Sequence, residues 1–280
     1  FYPKILVEDK LDERNKTLLA QMHKAISVLQ FKLESQLFER YPFWKMQDRE
    51  LLKQVDYEKG TITLNGVVYN MRSCHFPTID PNNPNALTPE EQTLIDRLQQ
   101  SFKTSERLQE HIRQLLLHGR MYRIINHNLL YHASIPLTEE GKLKEVEIYP
   151  ELKACGRELL HNIEVIVRRA FQKGTESDGG IDPQYAIDFF LYLWCGPESP
   201  LFDKAKMATF ERYFIEDKET HKETKGAYFV MRDKEEIADM ILDEFDVPKT
   251  NRHIINGHVP VHVAKGENPI KAGGKLMVID

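Results

Sequence analysis

Apolar residues recur at steps of three and four in the first part of the chain, which is the period of an amphipathic helix. This spacing predicts a helix over residues 12–40, and Tyr41-Pro42 ends it because the residue before a proline avoids helical backbone. The stripe is expected to pack on the protein's own core, and a seam that binds a partner is the alternative. Its members are Leu18, Met22, Ile26, Leu29, Leu33 and Leu37.

The period changes to two in the next segment. Residues 61–71 contain two short alternating runs on either side of Asn65-Gly66, a dipeptide that favours the tight turn of a β-hairpin. The sequence therefore predicts a hairpin over residues 61–71.

A helix start follows a loop rich in proline and asparagine. Thr88 precedes Pro89, and Glu91 stands three residues after Thr88, which is the pattern of a capping box with a proline in the first turn. One long polar helix is predicted from there to about His118, where Gly119 follows as a stop signal.

Strands and helices alternate in the remainder of the chain. The fold class is therefore predicted as mixed α/β (α+β), with a mainly helical insertion over 1–118 that contains the hairpin, and half of a β-sandwich flanked by helices over 119–280. Two strands are predicted around Asn126-His127-Asn128, followed by a helix near 154–172 and a flexible loop over 174–180. Asp182-Pro183 opens an apolar helix, whose aromatic residues, together with Trp194, are expected in the core. A capping box of Asp233 and Glu236 starts a further helix that ends at about Phe245, and the strands HIING and KLMVID close the chain.

Charge and composition exclude several classes of function. The net charge of the 280 residues is -5, with no basic block, which argues against nucleic-acid binding through a basic field. The longest apolar run, residues 189–195, is too short to span a bilayer, so no membrane role is expected. The 3 cysteines are widely spaced, which favours a reducing, cytoplasmic location over a disulfide framework.

Two histidines stand at the ends of apolar strands. His132 follows a run of apolar residues, and His258 follows another across Gly257, a residue that lets the backbone turn or approach a neighbour closely. A neutral imidazole is the commonest metal ligand, so both are candidate ligands. A histidine that is hydrogen-bonded at a strand end for structural reasons is the alternative.

Three successive segments, YHASIP, LWCGPESP and GHVPV, resemble elements of the calcineurin-like metallophosphoesterases. Longer segments are similar to one family within them, the class III fructose-1,6-bisphosphatases found in Firmicutes and some Bacteroidetes. These segments are SERLQEHIRQL, NLLYHASIPL, MATFERYFIEDKETHKETKGAYF and HIINGHVPVHVAKGENPIKAGGKLMVID, so the resemblance runs from about residue 85 to the last residue.

The resemblance implies a phosphatase that removes the 1-phosphate of fructose 1,6-bisphosphate, a sugar bisphosphate, in gluconeogenesis. It also implies part of a metallophosphoesterase β-sandwich and a pair of divalent metal ions, usually manganese, that hold the phosphate while a metal-activated hydroxide attacks it. His132 and His258 match the two late metal-binding histidines of the family.

Other ligand motifs of the superfamily are not found in the sequence. D-x-H, G-D-x-x-D-R and G-N-H-[DE] are all absent, so His132 and His258 would supply two ligands of an incomplete two-metal site. We therefore expect the chain to be an internal segment of a longer enzyme and to be inactive alone.

Further residues are expected around the two histidines. A bisphosphate needs cations for the phosphate that is not cleaved, and Arg212, Lys222 and Lys225 are the candidates, with an ordinary solvated face as the alternative. Asn256, Gly257 and His262 are expected to support the metal ligands from behind, and His262 to face the same way as His258 along an alternating strand.

Two other hypotheses stay open at this point. The second hypothesis is that the chain comes from a related metallophosphoesterase that acts on a protein phosphoserine or a nucleotide, and the third is that it is a non-catalytic scaffold or interaction module. An incomplete sheet would leave open edges that favour pairing with a second copy, so a homo-oligomer is also considered.

Overall fold

The computed structural model describes residues 13–171 and 180–280, and the chain divides into two compact units. A segment late in the chain belongs to the unit that the N-terminal residues build. The assignment of 1–118 to an insertion and of 119–280 to a phosphatase core stays a prediction. Unit 1 is Phe1–Glu110 with Met207–Glu223, and unit 2 is His111–Lys206 with Thr224–Asp280.

Helix α1 (Glu13–Arg40) of unit 1 confirms the helix predicted from the apolar stripe. The expectation that the whole stripe packs on the core is wrong, because Leu18, Met22 and Ile26 are about half exposed. The core of unit 1 lies against the second half of the helix, where Val28 and Phe31 pack with residues such as Leu52 and Ile62.

The predicted hairpin is confirmed in unit 1. Strands β1 (Val55–Asp56), β2 (Thr61–Leu64) and β3 (Val67–Asn70) form an antiparallel sheet in that order. Asn65 and Gly66 have φ angles of 50° and 78°, which is the left-handed backbone that a type I′ turn requires.

The predicted capping box is confirmed, but the single long helix is not. Thr88 Oγ1 accepts a hydrogen bond from the backbone N–H of Glu91 at 3.2 Å, and Glu91 Oε2 accepts one from the N–H of Thr88 at 2.9 Å. Two helices follow, α2 (Pro89–Thr104) and α3 (Glu106–His118), because Ser105 takes extended backbone. The carbonyl of Ser105 accepts the N–H of Gln109 at 2.9 Å, so this serine starts the second helix as serines often do.

Two buried ion pairs connect distant parts of unit 1. The fully buried Lys32 donates to Glu91 Oε2 at 2.8 Å and to the carbonyl of Thr78 at 2.6 Å. Arg49 forms two parallel hydrogen bonds, of 2.8 and 3.1 Å, to the carboxylate of Glu211, which lies on helix α6 (Thr209–Phe214) and is fully buried.

Glu34 on α1 gives unit 1 a pH-dependent stability. Burial raises the pKa of this half-buried carboxyl to about 7, and its Oε1 accepts a 2.6 Å hydrogen bond from Gln30. Because the folded protein holds the proton more tightly than the unfolded chain, the stability that Glu34 provides is greatest at acid pH and decreases as pH rises through about 7.

We therefore expect Glu34→Gln to stabilise the protein above neutral pH, by about 1–3 kcal/mol, and to leave its stability nearly unchanged near pH ~4, below the pKa of the unfolded carboxyl. Thermal unfolding of both proteins across this pH range checks the expectation. The exposed Glu58→Gln serves as the control, and an advantage of Glu34→Gln that is the same at every pH would contradict the argument.

Unit 2 contains a mixed five-stranded sheet in the order β4-β5-β8-β10-β9. The central strands β5, β8 and β10 run parallel, and the outer strands β4 and β9 pair antiparallel with their neighbours. These strands confirm both the pair predicted around Asn126-His127-Asn128 and the two closing strands. The strands of unit 2 are β4 (Tyr122–Ile125), β5 (Asn128–Tyr131), β6 (Val146–Tyr149), β7 (Leu152–Ala154), β8 (His253–Asn256), β9 (Ile270–Lys271) and β10 (Leu276–Val278), of which β6 and β7 form a separate antiparallel pair.

The structure confirms the three helices predicted near residues 154–172, after Asp182-Pro183 and up to about Phe245, and it corrects two other predictions. Asp182 caps the predicted apolar helix by accepting the N–H of Gln184 at 3.0 Å. The capping box predicted at Asp233 is wrong, since Asp233 instead pairs with Lys271 at 3.2 Å and Lys234 stands at the cap position. Trp194, predicted in the core, is 48% exposed. The helices are α4 (Gly156–Arg169), α5 (Pro183–Cys195), α7 (Ala227–Met231) and α8 (Glu235–Glu244).

The mixed α/β class is confirmed for both units together. The loop predicted over 174–180 lies outside the described residues, apart from Gly180. None of the helices that the structure describes is both long enough and apolar enough to cross a membrane.

Candidate metal centre

The structure brings His132 and His258 together just beyond the carboxyl ends of strands β5 and β8 of the unit 2 sheet. Strands β5 and β8 are parallel neighbours, so the residues that follow them lie at the same end of the sheet. The N–H of Gly257 donates to the carbonyl of His132 at 2.8 Å, and the two rings meet with Nε2 of His132 3.2 Å from Nδ1 of His258. Two side chains 126 positions apart in the sequence thus share one site.

An unusual backbone conformation presents His258. Its φ angle is 70°, in the left-handed region that non-glycine residues seldom adopt, at a typical cost of about 1–3 kcal/mol. Of the two roles expected of Gly257, the structure shows the close approach, because a Cβ there would lie 3.3 Å from the Cβ of Asp280. The glycine permits a close approach, and the histidine itself makes the turn.

The surroundings of His258 lower the pKa of its ring, which favours the neutral form. Burial lowers the pKa of this imidazole, and the neighbouring His132 and Lys204 lower it further. Its Nε2 is buried, and its ring lies edge-on to Phe202 with the centroids 6.3 Å apart. A neutral ring is the form in which histidine binds a metal ion.

Asn256 connects the two chain segments that lead to the histidines. It is almost fully buried, and its Nδ2 donates at 2.7 Å both to the carbonyl of Ala133 and to the hydroxyl of Tyr228. The Tyr228 hydroxyl in turn lies 2.7 Å from that of Tyr131 at the end of β5. This buried network fixes the ends of β5 and β8 relative to each other.

The alternating strand expected to carry His262 is wrong, because His262 lies outside the strands and directly before a short 3-10 turn, Val263–Lys265. The backbone turns twice after Gly257, with a hydrogen bond of 2.9 Å from the N–H of Val259 to the carbonyl of Gly257 and one of 3.0 Å from Val263 to Val261. His262 is exposed, and its N–H donates to Glu267 at 3.1 Å.

The basic residues singled out in the sequence lie in different units. Arg212 and Lys222 belong to unit 1, where they pair with Glu223 at 3.0 Å and with Glu219 at 2.5 Å. Lys225 belongs to unit 2 and is exposed, and it lies opposite Lys204 in an isolated antiparallel β-bridge.

Sequence reasoning missed Lys204 and Phe202, which the structure places beside His258. The ammonium of Lys204 lies 5.4 Å from the centroid of the Phe202 ring, and this ring contacts the imidazole of His258. Neither residue occurs in a recognisable motif, so only the folded arrangement identifies them.

The donors present fit a metal ion in part. Two nitrogens bound to one ion at right angles, with bonds of about 2.1 Å, would be about 3.0 Å apart, which is close to the observed 3.2 Å between the imidazoles. Across the two described ranges, no group of three or more His, Cys, Asp or Glu side chains is placed to hold a metal ion. The two imidazoles can therefore fill two coordination positions of a single metal ion, and a complete two-metal site needs further ligands.

A family model described as Firmicute fructose-1,6-bisphosphatase matches residues 1–280. The chain belongs to this family. The match includes both histidines and the whole of both units, so the fructose-1,6-bisphosphatase family accounts for the N-terminal helical region as well as for the sheet.

Relatives in the fructose-1,6-bisphosphatase family show how much of its sequence the chain contains. Proteins named fructose-1,6-bisphosphatase class 3 from Bacteroides fragilis and Porphyromonas gingivalis are 50% and 51% identical to it over 281 residues, and one from Alkaliphilus metalliredigens is 46% identical. Each match covers 100% of this chain and 42% of the relative, so the chain spans less than half the length of these relatives. No solved structure matches the chain.

Proposed function

We propose that this chain forms part of a metal-dependent phosphatase of gluconeogenesis, which hydrolyses the 1-phosphate of fructose 1,6-bisphosphate to give fructose 6-phosphate and inorganic phosphate. The observation that carries the proposal is the pair of imidazoles held 3.2 Å apart at the ends of adjacent parallel strands. Membership of the fructose-1,6-bisphosphatase family supports the choice of substrate.

In this proposal His132 and His258 hold a divalent ion, manganese, through the nitrogens that face each other. When bound, such an ion attracts the phosphate oxygens and lowers the pKa of water, so that hydroxide forms near neutral pH. The low pKa of His258 keeps its ring available to the ion. Asn256 and Gly257 contribute by fixing the strand ends that carry the two rings.

The remaining metal ligands would come from residues beyond the described ones. The relatives are more than twice as long as this chain, which leaves room for the carboxylate and asparagine ligands that a pair of manganese ions requires. We also propose that the unit 2 sheet is part of a metallophosphoesterase sandwich, which its parallel strands β5, β8 and β10 support.

The cationic side chains would bind the phosphate groups of the substrate. Lys225 is the best placed of the three candidates, since it belongs to the same unit as the histidines. Arg212 and Lys222 are proposed for the phosphate that is not cleaved. They remain exposed enough to exchange their carboxylate partners for a substrate.

The cytoplasm is the proposed location, which the free thiols of Cys74, Cys155 and Cys195 support because free thiols persist in a reducing compartment. A homo-oligomer stays a prediction. Strands β4 and β9 form the edges of the unit 2 sheet, where such pairing could occur.

A chimera tests the proposal, in which this chain replaces the matching segment of the Bacteroides fragilis relative. With manganese present, we expect hydrolysis of fructose 1,6-bisphosphate to exceed that of a phosphoserine peptide or a nucleoside monophosphate by about a hundredfold or more in kcat/KM. The chain by itself is expected to be inactive. Inorganic phosphate released from each substrate is the measurement.

The same panel separates the competing hypotheses. Preference for the phosphopeptide or the nucleotide would assign the chain to a related metallophosphoesterase. A folded chimera that hydrolyses none of the three substrates, while the unmodified relative hydrolyses fructose 1,6-bisphosphate, would make this chain a non-catalytic module.

A further inference from the structure

Helix α5 of unit 2 is apolar on every side. Buried aromatic residues form its inward face, where the ring of Phe189 lies 5.5 Å from that of Tyr185 and 5.6 Å from that of Tyr192. Its one charged residue, Asp188, is also buried, and it accepts a hydrogen bond of 2.8 Å from Gln184. A helix that is apolar all round is normally buried all round.

The outward face of α5 is nevertheless open to solvent. Ile187, Phe190 and Trp194 are between 40% and 52% exposed, and the exposed residues of this helix include no charged side chain. Phe171, which follows α4, extends the apolar surface, because its ring meets that of Phe190 edge to face with the centroids 5.9 Å apart. These four residues form the α5 face.

The size of the α5 face fits the apolar centre of a stable interface. At the observed exposures, its four side chains leave about 400 Å² uncovered. Each partner of a stable complex buries about 800 Å², of which the centre is apolar and rich in tryptophan and phenylalanine, and the rim is polar. The α5 face thus provides about half of the area that a stable dimer needs from each chain.

The spacing along the α5 face is self-complementary. Ile187 and Trp194 are two helical turns apart, about 10.5 Å, with Phe190 between them. In a second α5 that is turned antiparallel about a two-fold axis midway between these positions, the large Trp194 of each chain meets the smaller Ile187 of the other, and both Phe190 rings lie next to the axis. Steps of three and four residues are also those at which two helices interlock their side chains.

We propose that the α5 face is the interface of a homodimer, in which a second copy of this chain covers it through an antiparallel contact between the two α5 helices. The absence of exposed charge favours a second copy, because a charged residue next to the axis would face its own copy. The proposal assigns the predicted homo-oligomer to a helix face, and the edge strands β4 and β9 are the alternative. It concerns assembly and does not depend on the proposed reaction.

Sedimentation of the 280-residue chain measures the dimer. We expect a dimer at micromolar concentration, and Phe190→Arg should weaken it about a hundredfold or more, because two like charges then meet next to the axis. Val230→Arg is the matched control and should leave the dimer unchanged, since Val230 is 72% exposed on α7 of the same unit. Circular dichroism checks that both variants are folded.

Mixing two variants tests the two-fold axis itself. Phe190→Glu alone should also be monomeric, but an equimolar mixture of Phe190→Glu and Phe190→Arg should form dimers with one copy of each, which native mass spectrometry identifies. Such a recovery requires that residue 190 lies near its own copy in the dimer. It also shows that neither variant lost the dimer by failing to fold.

Tryptophan emission locates the contact. The chain has 2 tryptophans, and Trp44 is only 3% exposed, so Trp194 is the one that becomes more buried on association. The emission of the unchanged chain should shift to shorter wavelength as its concentration rises through the range in which the dimer forms. Phe190→Arg should show no such shift over the same range.

Three results would overturn the interface. They are a chain that stays monomeric at every concentration, a dimer that Phe190→Arg leaves intact, which would move the contact to an edge such as β4 or β9, and a mixture of the two charged variants that stays monomeric. The chimera gives the last check, because Phe190→Arg should lower the mass of its assembly too. An unchanged chimera assembly, with dissociation of the isolated chain, would mean that the rest of the longer protein covers α5.

Discussion

Alanine at His132 or at His258 is expected to remove most of the manganese-dependent activity of the chimera, by roughly a hundredfold or more in kcat. The two imidazole nitrogens lie 3.2 Å apart, so losing either ring leaves one donor where the proposed ion needs two. Loss of groups that merely support a ligand already costs about 10- to 100-fold in metal affinity or activity, and a lost ligand should cost at least as much.

Metal content separates this effect from misfolding. We expect each alanine variant, after dialysis, to retain less manganese per protein than the unchanged chimera. His253→Ala is the matched control, because His253 stands exposed at the opposite end of the strand β8 that leads to His258. Unchanged manganese content and activity in both alanine variants would remove the histidine pair from the metal site.

His258→Gly adds a comparison that the backbone makes possible. Glycine accepts the φ of 70° at this position without strain, so this variant should be more stable than His258→Ala, by about 1 kcal/mol. It should lose manganese just as completely. Stability and metal binding would then change independently, which shows that the histidine is retained for its ring and not for the turn.

Arg49→Ala is expected to destabilise unit 1 by about 3–5 kcal/mol, because it removes the two charge-assisted hydrogen bonds that the fully buried carboxylate of Glu211 accepts from Arg49. The guanidinium also donates to the carbonyl of Met207 at 3.1 Å, so it fixes the segment that carries Glu211. Denaturant-induced unfolding of the 280-residue chain measures the loss.

The matched double variant, Arg49→Met with Glu211→Leu, should recover most of this stability, since it removes both charges and keeps apolar volume. Lys59→Ala removes an exposed ion pair with Asp56 on the surface of unit 1 and should change the stability very little. If Arg49→Ala were as mild as Lys59→Ala, the Arg49–Glu211 pair would not hold unit 1 together.

Local sequence signals predicted the elements whose ends are defined by their own residues. Asn65-Gly66 defines its hairpin through the left-handed backbone of both residues, and Thr88 and Asp182 cap their helices with their own side chains. Each of these signals acts within a few residues, so it survives in any fold that contains the segment.

Signals that compete with tertiary contacts failed. Asp233 has the right spacing for a capping box, but its carboxylate binds Lys271, which is 38 residues away in the sequence. At the candidate site, strand ends and family resemblance indicated His132 and His258. The pairing of Lys204 with Lys225 depends on a bridge between segments 21 positions apart, which nothing in either segment specifies.

The position of Glu211 has a consequence for the order of events during synthesis. Arg49 and its partner are 162 residues apart, and Phe210 and Phe214 from the same late segment fill the core of unit 1. At about 5–20 residues per second, a ribosome needs roughly 10–30 s to make the intervening chain. Once Glu110 has been made, unit 1 still lacks Phe210 and Phe214 in its core and Arg49 still lacks Glu211, so unit 1 completes its fold only when this late segment, which pairs Met71 with Ile215, has been made.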